Sequence, residues 1–509
     1  MPSRTIIILL AFCLLFLKLS GQEQFYFNER IDHHNNYDRA RNVIETDSGY
    51  VIAGITEDSL YMYQYHLTLT QISKNGNIKW FKEYGYDSIN YFFGYAGSLI
   101  QFSQNKFYSS CYKRIYTEDW VHDQGMLVCF NDVFDTILTS YYGEKVAPYD
   151  TAFQLFQINK TSDNGLIMTG GRKPDGLPIK TWLIKTDSLG NKLWEKFYGE
   201  GEEYFSGYSV IQTTDGGYAI GGFKFTIGDS NSGDPIIIKT DSTGNEEWTL
   251  NPGSQYADNV AMLALSPDGN IIAATNFATK PHGDNRDAKT QILKIRNDGE
   301  IISNKLFGEP LYDNFLTQIR VKDNGELIAT GTYSSFTPTT PSTIGWVLCI
   351  DINGNQKWYN EYVNLYGDFS FNELYDIIPT NDNGFLACGR VSPNLPDTGT
   401  EDIWVLKLDS LGNDTTTVGI IEKPVFINES MQIFPNPVTE ELTVSIETPA
   451  LTNTFVIIYN LYGLKTEEIE IPLGEKTVQI NASNWQSGLY VAVLKEQGKI
   501  IARQKFVVQ

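Results

Sequence analysis

The 509-residue chain is poor in the side chains that most often carry metal or thiol chemistry, with five histidines and five cysteines. Cys13 falls in an N-terminal apolar stretch, leaving Cys111, Cys129, Cys349 and Cys388 for the remainder. So few thiols in so long a chain exclude a disulfide-dense scaffold; one or two bridges and buried free thiols both stay open. The neighbouring His33 and His34 in "IDHHNNYD" would point apart, and no Cys/His cluster accompanies them or His66, His122 and His282, so no metal site is assigned. An HExxH pair, a phosphate-cradling loop and a nucleophile elbow are also missing, so no catalytic residue is assigned. Positive charge is short as well. Lys and Arg number 39 against 61 Asp and Glu, and the net charge of −22 repels phosphate backbones and anionic lipid, which excludes nucleic acid as a partner. Past the N-terminus no apolar run approaches the roughly 18 residues of a membrane helix, so the mature chain is expected to have no transmembrane segment. No stretch of it has the periodicity of an amphipathic helix.

What is present is a hydrophobic fraction of 41% with 13% aromatic residues, a globular composition. The length calls for several domains or one repeat array. Residues 1–21 read as a secretory signal: Arg4, the apolar "TIIILLAFCLLFLKL", then Ser20-Gly21 for cleavage. Phe12 stands before Cys13 where a lipoprotein signal wants a small residue, so lipidation is not expected.

The motif "TTDGGYAIGG" at Asp215 recurs at Asp47, Asp163, Asp268, Asp323 and Asp382, with a degenerate copy, "FSQNKFYSSC", at Ser103; the seven copies are 52 to 60 residues apart. Each is followed by a second turn, such as "TDSTGNEEW" or "DINGNQKW", with the Gly and Asn that tight hairpins demand. The flanking runs "DPIIIKT", "TWLIKT" and "IWVLKLD" are short, apolar and β-branched, hence strands. Each unit is therefore four strands. Seven such units without helices predict an all-β chain, a seven-bladed β-propeller over residues 22–413. The small pairs Ala53-Gly54, Gly221-Gly222, Ala329-Thr330 and Cys388-Gly389 are expected where blades crowd toward the axis. Trp80, Trp194, Trp248 and Trp358 are expected to dock each blade on the next. The last copy lacks an outer strand, and residues 23–31, "EQFYFNERI", are expected to supply it, closing the ring and removing open sheet edges.

The D…G…W element resembles the tryptophan-docking motif of quinoprotein propellers, and the Gly-Gly pairs are kelch-like. Taken together, residues 37–412 resemble repeats of large exported proteins of the Bacteroidetes phylum, a likeness that defines a scaffold and no activity. "IFPNPVTEELTVSIE", "VIIYNLYGLK" and the terminal "QSGLYVAVLKEQGKIIARQKFVVQ" resemble the type IX secretion system C-terminal sorting domain. The residues that carry this are Pro435, Asn436 and Pro437, Tyr459 with Gly463, and Gly488 to Tyr490, with Asn460 departing from the usual Asp. Residues 431–509 are accordingly expected to form a small C-terminal β-sandwich after a linker at 414–430. The resemblance implies handling by the type IX secretion machinery, passage across both membranes, and release or attachment at the cell surface.

For chemistry the sequence offers a ring of acidic and aromatic residues ahead of the inner strands. Asp38, Asp150, Asp258 and Asp313, with Tyr204, Tyr256 and Tyr312, are the candidate ligand-binding residues at one channel mouth, where carboxylates could hold a cation and rings could stack on sugars. The loop "GDSNSGD" (228–234) hints at calcium but lacks the ligand series, so calcium is the one cofactor left open. The expected function is a surface or secreted binding or adhesion module for a glycan or a protein. The alternative is a polysaccharide-active enzyme with carboxylates around the channel.

Overall fold

The computed structural model describes residues 26–414 and 431–509, apart from 59–63, 86–88, 117–120, 144–150, 174–177, 227, 230–232, 281–287, 309–312, 335–341, 368, 394–398, 447–448, 451–452, 461–464 and 497–498. The signal stretch, the linker from 415 on, His282, Asp150, Tyr312 and Gly463 lie outside the described residues. Every regular element among the described residues is a strand. The chain divides into two compact units, Met1–Thr416 and Thr417–Gln509.

The first unit is a seven-bladed β-propeller. Blade 1 runs outward through Asp38–Thr46, Gly49–Glu57, Tyr65–Ile72 and Ile78–Tyr84. The inner strands of blades 3 to 6 are Thr151–Lys160, Tyr204–Gln212, Met262–Leu265 and Asp313–Val321. The degenerate copy forms blade 2, whose inner strand is broken into Asn90–Phe93 and Leu99–Ser103. Blade 7 takes three strands from Phe371–Pro379, Phe385–Ser392 and Asp402–Leu408. Its fourth is Phe27–Ile31, antiparallel to the third with Phe27 opposite Lys407 and Ile31 opposite Ile403.

The repeated residues have local reasons. At the first turn of blade 4, the Asp215 carboxylate accepts from Thr213 Oγ1 at 2.6 Å and the Gly217 amide at 3.0 Å, and pairs with the buried Lys239 ammonium at 2.9 Å. The same pairing joins Asp163 to Lys185 at 3.0 Å and Asp382 to Lys407 at 2.7 Å. At the second turn Asp241 accepts from the amides of Thr243 and Asn245, both at 2.8 Å, and from Asn245 Nδ2 at 2.9 Å. This closes the left-handed Gly244 turn. The tryptophans bridge blades: Trp248 Nε1 donates to the Asn297 carbonyl of blade 5 at 2.7 Å, and Trp358 Nε1 to Ser410 of blade 7 at 3.3 Å.

The small pairs have a different origin from simple crowding at the axis. In five blades the inner strand carries a β-bulge, with one extra residue at Arg41, Phe156, Tyr208, Thr317 and Tyr375. The bulge pushes a carbonyl of the inner strand against the second strand. At Gly54, Gly170, Gly222, Gly331 and Gly389 a Cβ would collide with that carbonyl. Gly221 meets the next blade instead, at the Ala261 carbonyl.

Just past the bulges a polar belt ties blade to blade. Asn42 Oδ1 accepts the Leu99 amide at 3.0 Å, Gln157 Oε1 the Val210 amide at 2.7 Å, and Ser209 Oγ the Leu263 amide at 3.0 Å. At the join of the ring the fully buried Asp376 accepts the Val43 amide at 3.2 Å, Asn42 Nδ2, and Arg320 at 3.0 Å.

The second unit packs a three-stranded sheet (Met431–Phe434, Glu441–Ile446, Thr477–Asn481) with a four-stranded one (Lys465–Ile471, Thr454–Asn460, Gly488–Glu496, Lys499–Val508) around a core that includes Val444, Ile458 and Phe506. Asn436 Oδ1 accepts the Val507 amide at 2.9 Å, and the Val438 amide donates to the Val507 carbonyl at 2.7 Å. The Pro-Asn-Pro segment thus pins the last strand. Tyr490 stacks on Trp485 at 5.2 Å.

Candidate functional site

A β-bulge turns its extra residue out of the ladder, and on an innermost strand that direction is the axis. Arg41, Tyr208, Thr317 and Tyr375 accordingly line an axial cavity of about 300 Å³, completed by residues that include Tyr95, Phe223 and Phe315. Phe156, the fifth bulge residue, backs this wall with its ring centroid 4.9 Å from Tyr95 and 5.0 Å from Tyr208. Burial pushes the Tyr208 and Tyr375 hydroxyls well above the usual phenol range, so both stay neutral.

The Arg41 guanidinium lies between two of these rings, 5.3 Å from the centroid of Tyr95 and 5.0 Å from that of Tyr375. Above Tyr375 runs a charged network across blades 7 and 1. The Tyr375 hydroxyl donates to Glu373 Oε2 at 2.5 Å, Arg390 Nε donates to the same oxygen at 2.8 Å, Arg390 also bonds Glu401, and Arg39 Nε donates to Glu401 Oε1 at 2.6 Å. Burial would raise the Glu373 carboxyl, but the Arg390 bond and charge outweigh it and hold the group below the usual carboxylate range. Arg39 and Arg390 are thus each bonded to a carboxylate, whereas Arg41 meets aromatic rings.

The described residues among those singled out from sequence sit elsewhere. Asp38 is buried and accepts the His33 amide at 2.6 Å, and burial raises its carboxyl to about 7. Asp258 is buried and caps a loop, accepting Ser254 Oγ at 3.0 Å and the Ala278 amide at 2.6 Å. Asp313 is buried at the start of its strand. Tyr256 donates its amide to Ser254 Oγ at 3.0 Å. Tyr204 packs on Phe225 at 4.8 Å, and Phe225 on the cavity residue Phe223 at 5.5 Å, an aromatic path from the surface to the cavity. His33 is buried against Phe81 at 3.8 Å, and burial lowers its pKa to about 4. Asp32, Asp38 and Asp402 bring one carboxylate oxygen each within 4.8 Å, a grouping that could hold a cation, although Arg30 already pairs with Asp402.

Sequence reasoning passed over Arg41, Tyr95, Tyr208 and Tyr375. The signal was in the repeat: the second-strand glycine stands opposite the bulge, so the residue that faces the axis can be read from its partner strand.

Residues 432–509 match the family described as the secretion system C-terminal sorting domain. A stretch of 147 residues, 28% of the chain, is 25% identical to the funoran endo-beta-hydrolase of Wenyingzhuangia aestuarii. The match spans 19% of that protein, so the chain covers less than two thirds of this relative's length. Among solved structures, a protein of unknown function from Dyadobacter fermentans DSM 18053 is 10% identical, with 75% of this chain and 97% of that one covered and a TM-score of 0.43. The GH93 alpha-L-arabinofuranosidase of Fusarium graminearum is also 10% identical, with 75% and 98% covered and a TM-score of 0.41. No helix among the described residues is long and apolar enough to cross a membrane. The propeller is followed by a type IX secretion system C-terminal sorting domain, which marks the chain for export to the cell surface or for secretion.

Proposed function

We propose that the chain is an exported glycan-binding protein whose ligand seats in the axial cavity of the propeller. The observation that carries this reading is the cavity wall itself: Tyr95, Tyr208, Tyr375, Phe223 and Phe315 present aromatic surface around about 300 Å³, room for a sugar ring or two. Aromatic rings suit the apolar faces of sugars, and Tyr204 and Phe225 extend such surface toward the outside. Delivery by the sorting domain puts this site where extracellular polysaccharide is met, on the surface or in the medium.

An enzyme is the second reading, supported by the short stretch of likeness to a funoran hydrolase and by the Tyr375–Glu373 bond. Glycoside hydrolysis ordinarily needs one carboxyl kept protonated as acid. Glu373 is instead held ionised by Arg390, and the described lining of the cavity contains no carboxylate, which favours binding over cleavage. The test is to incubate the purified chain with soluble and insoluble polysaccharides and follow co-sedimentation and polymer length together. Binding with unchanged length is expected. Shortened polymer would replace the binding reading with the enzymatic one, and no interaction with any polysaccharide would turn the search to surface proteins.

A further inference from the structure

We infer that the glycan is acidic and that its carboxylate or sulfate group seats on Arg41, an inference that rests on reading the axial cavity as the glycan site. The Arg41 guanidinium carbon lies over the rings of Tyr95 and Tyr375, 5.3 and 5.0 Å from their centroids, and such ring contacts leave its five N–H donors to be satisfied by other groups. Among the described residues those N–H groups meet no hydrogen-bond acceptor, and no carboxylate pairs with them. Its neighbours differ: Arg39, Arg390 and Arg114 are each bonded to a carboxylate, Arg114 to Asp123 at 2.7 and 2.8 Å.

A guanidinium with free donors in a cavity is not a stabilising device for the fold, since an apolar side chain of like volume would fill the same gap between Tyr95 and Tyr375 without a desolvation cost. It is a preformed half of a fork that a planar or tetrahedral oxyanion completes. Among the described residues the Arg41 charge has no carboxylate bonded to it. The net −22 of the chain does not cancel it: at physiological salt, charges beyond about 8 Å are largely screened, and the cavity charges act at contact range.

The test compares the purified chain with Arg41→Gln and Arg41→Lys by equilibrium binding to three probes. These are polygalacturonate for the carboxylate, carrageenan for the sulfate, and agarose as a neutral polymer. The wild type is expected to bind one acidic probe at least about tenfold more tightly than agarose. Which acidic probe wins tells carboxylate from sulfate. Arg41→Gln is expected to lose that preference, binding the acidic probe no more tightly than it binds agarose, and Arg41→Lys to keep only part of it. Near-UV circular dichroism checks that each variant is folded; should Arg41→Gln not fold, the partial loss in Arg41→Lys carries the test. Equal wild-type binding of neutral and acidic polymers would overturn the inference and leave the glycan reading standing. So would a preference untouched by either substitution. Failure to bind all three probes and every neutral polymer would remove the glycan reading itself.

Discussion

Ser303 stands where the preceding blade carries Trp248: each follows the glycine of its second turn, Gly299 or Gly244, by four residues. Trp248 spans the gap to blade 5, with Gly299 against its indole. Ser303 cannot span the next gap, and a crevice of about 480 Å³ opens between blades 5 and 6, floored by Ile272, Leu327 and Ile350. Lys305 partly bridges it, donating to the Gly354 carbonyl at 2.8 Å.

Ser303→Trp should therefore stabilise the propeller by about 1–2 kcal/mol through restored apolar burial, and Trp248→Ala should cost about 3 kcal/mol. Urea titration of both variants checks this. A destabilised Ser303→Trp would mean that Lys305 already fills the space an indole needs.

Lys239 is fully buried, paired with Asp215 at 2.9 Å and Glu247 at 2.8 Å. Removing both acids, by Asp215→Asn with Glu247→Gln, should cost about 2–3 kcal/mol because the ammonium is left without compensation; the acids are themselves partly exposed, which lowers the figure. Lys239→Met should cost less than about 1 kcal/mol, since it removes the buried charge along with the pair. If the double acid variant were as stable as wild type, the ion pairs would not be what keeps Lys239 inside.

Burial raises the Asp38 carboxyl from 3.8 to about 7 in the folded chain. The folded state then holds a proton that the unfolded state releases, so this contribution to stability is complete below pH 3.8 and is lost as pH rises through about 7. Asp38→Asn should gain stability over wild type as pH rises from 5 to 8 (about the range in which the shift acts). Denaturation curves at both ends of that range decide the matter, and a difference that does not change with pH would refute the assignment.

Cys111, Cys129, Cys349 and Cys388 are free and buried, and burial pushes Cys111 up to about 12 and Cys349 up to about 11. Cys129 and Cys349 occupy the strand position that Lys239 holds in blade 4, so they pack as small apolar groups in place of an ion pair. A thiol reagent should leave all four untouched in the native chain and modify all four in denaturant. Rapid native labelling of any one would show that its blade opens locally.

The blade plan was legible in sequence because it is local chemistry. Asp215 and Asn245 build their turns from residues two to four positions away, and the apolar strands between them have no period but that of a sheet. The cavity was not legible in the same way. Asp38 and Asp258 look like ligands in sequence, an acid beside an aromatic, but their partners are the backbone amides of His33 and Ala278, which no spacing reveals.

The sequence by itself determined that the propeller is built of strands, that it repeats seven times, and that a sorting sandwich follows it, since turn residues, strand periodicity and a short motif act over a few neighbouring positions. Only the tertiary structure decided which side chains meet at the axis. Arg41 and Tyr375 are separated by almost the whole propeller in sequence and come together because the ring closes. That closure depends on long-range pairings, Phe27–Ile31 along Asp402–Leu408 and Asn42 on Asp376, whose geometry exists only once all the blades are in place.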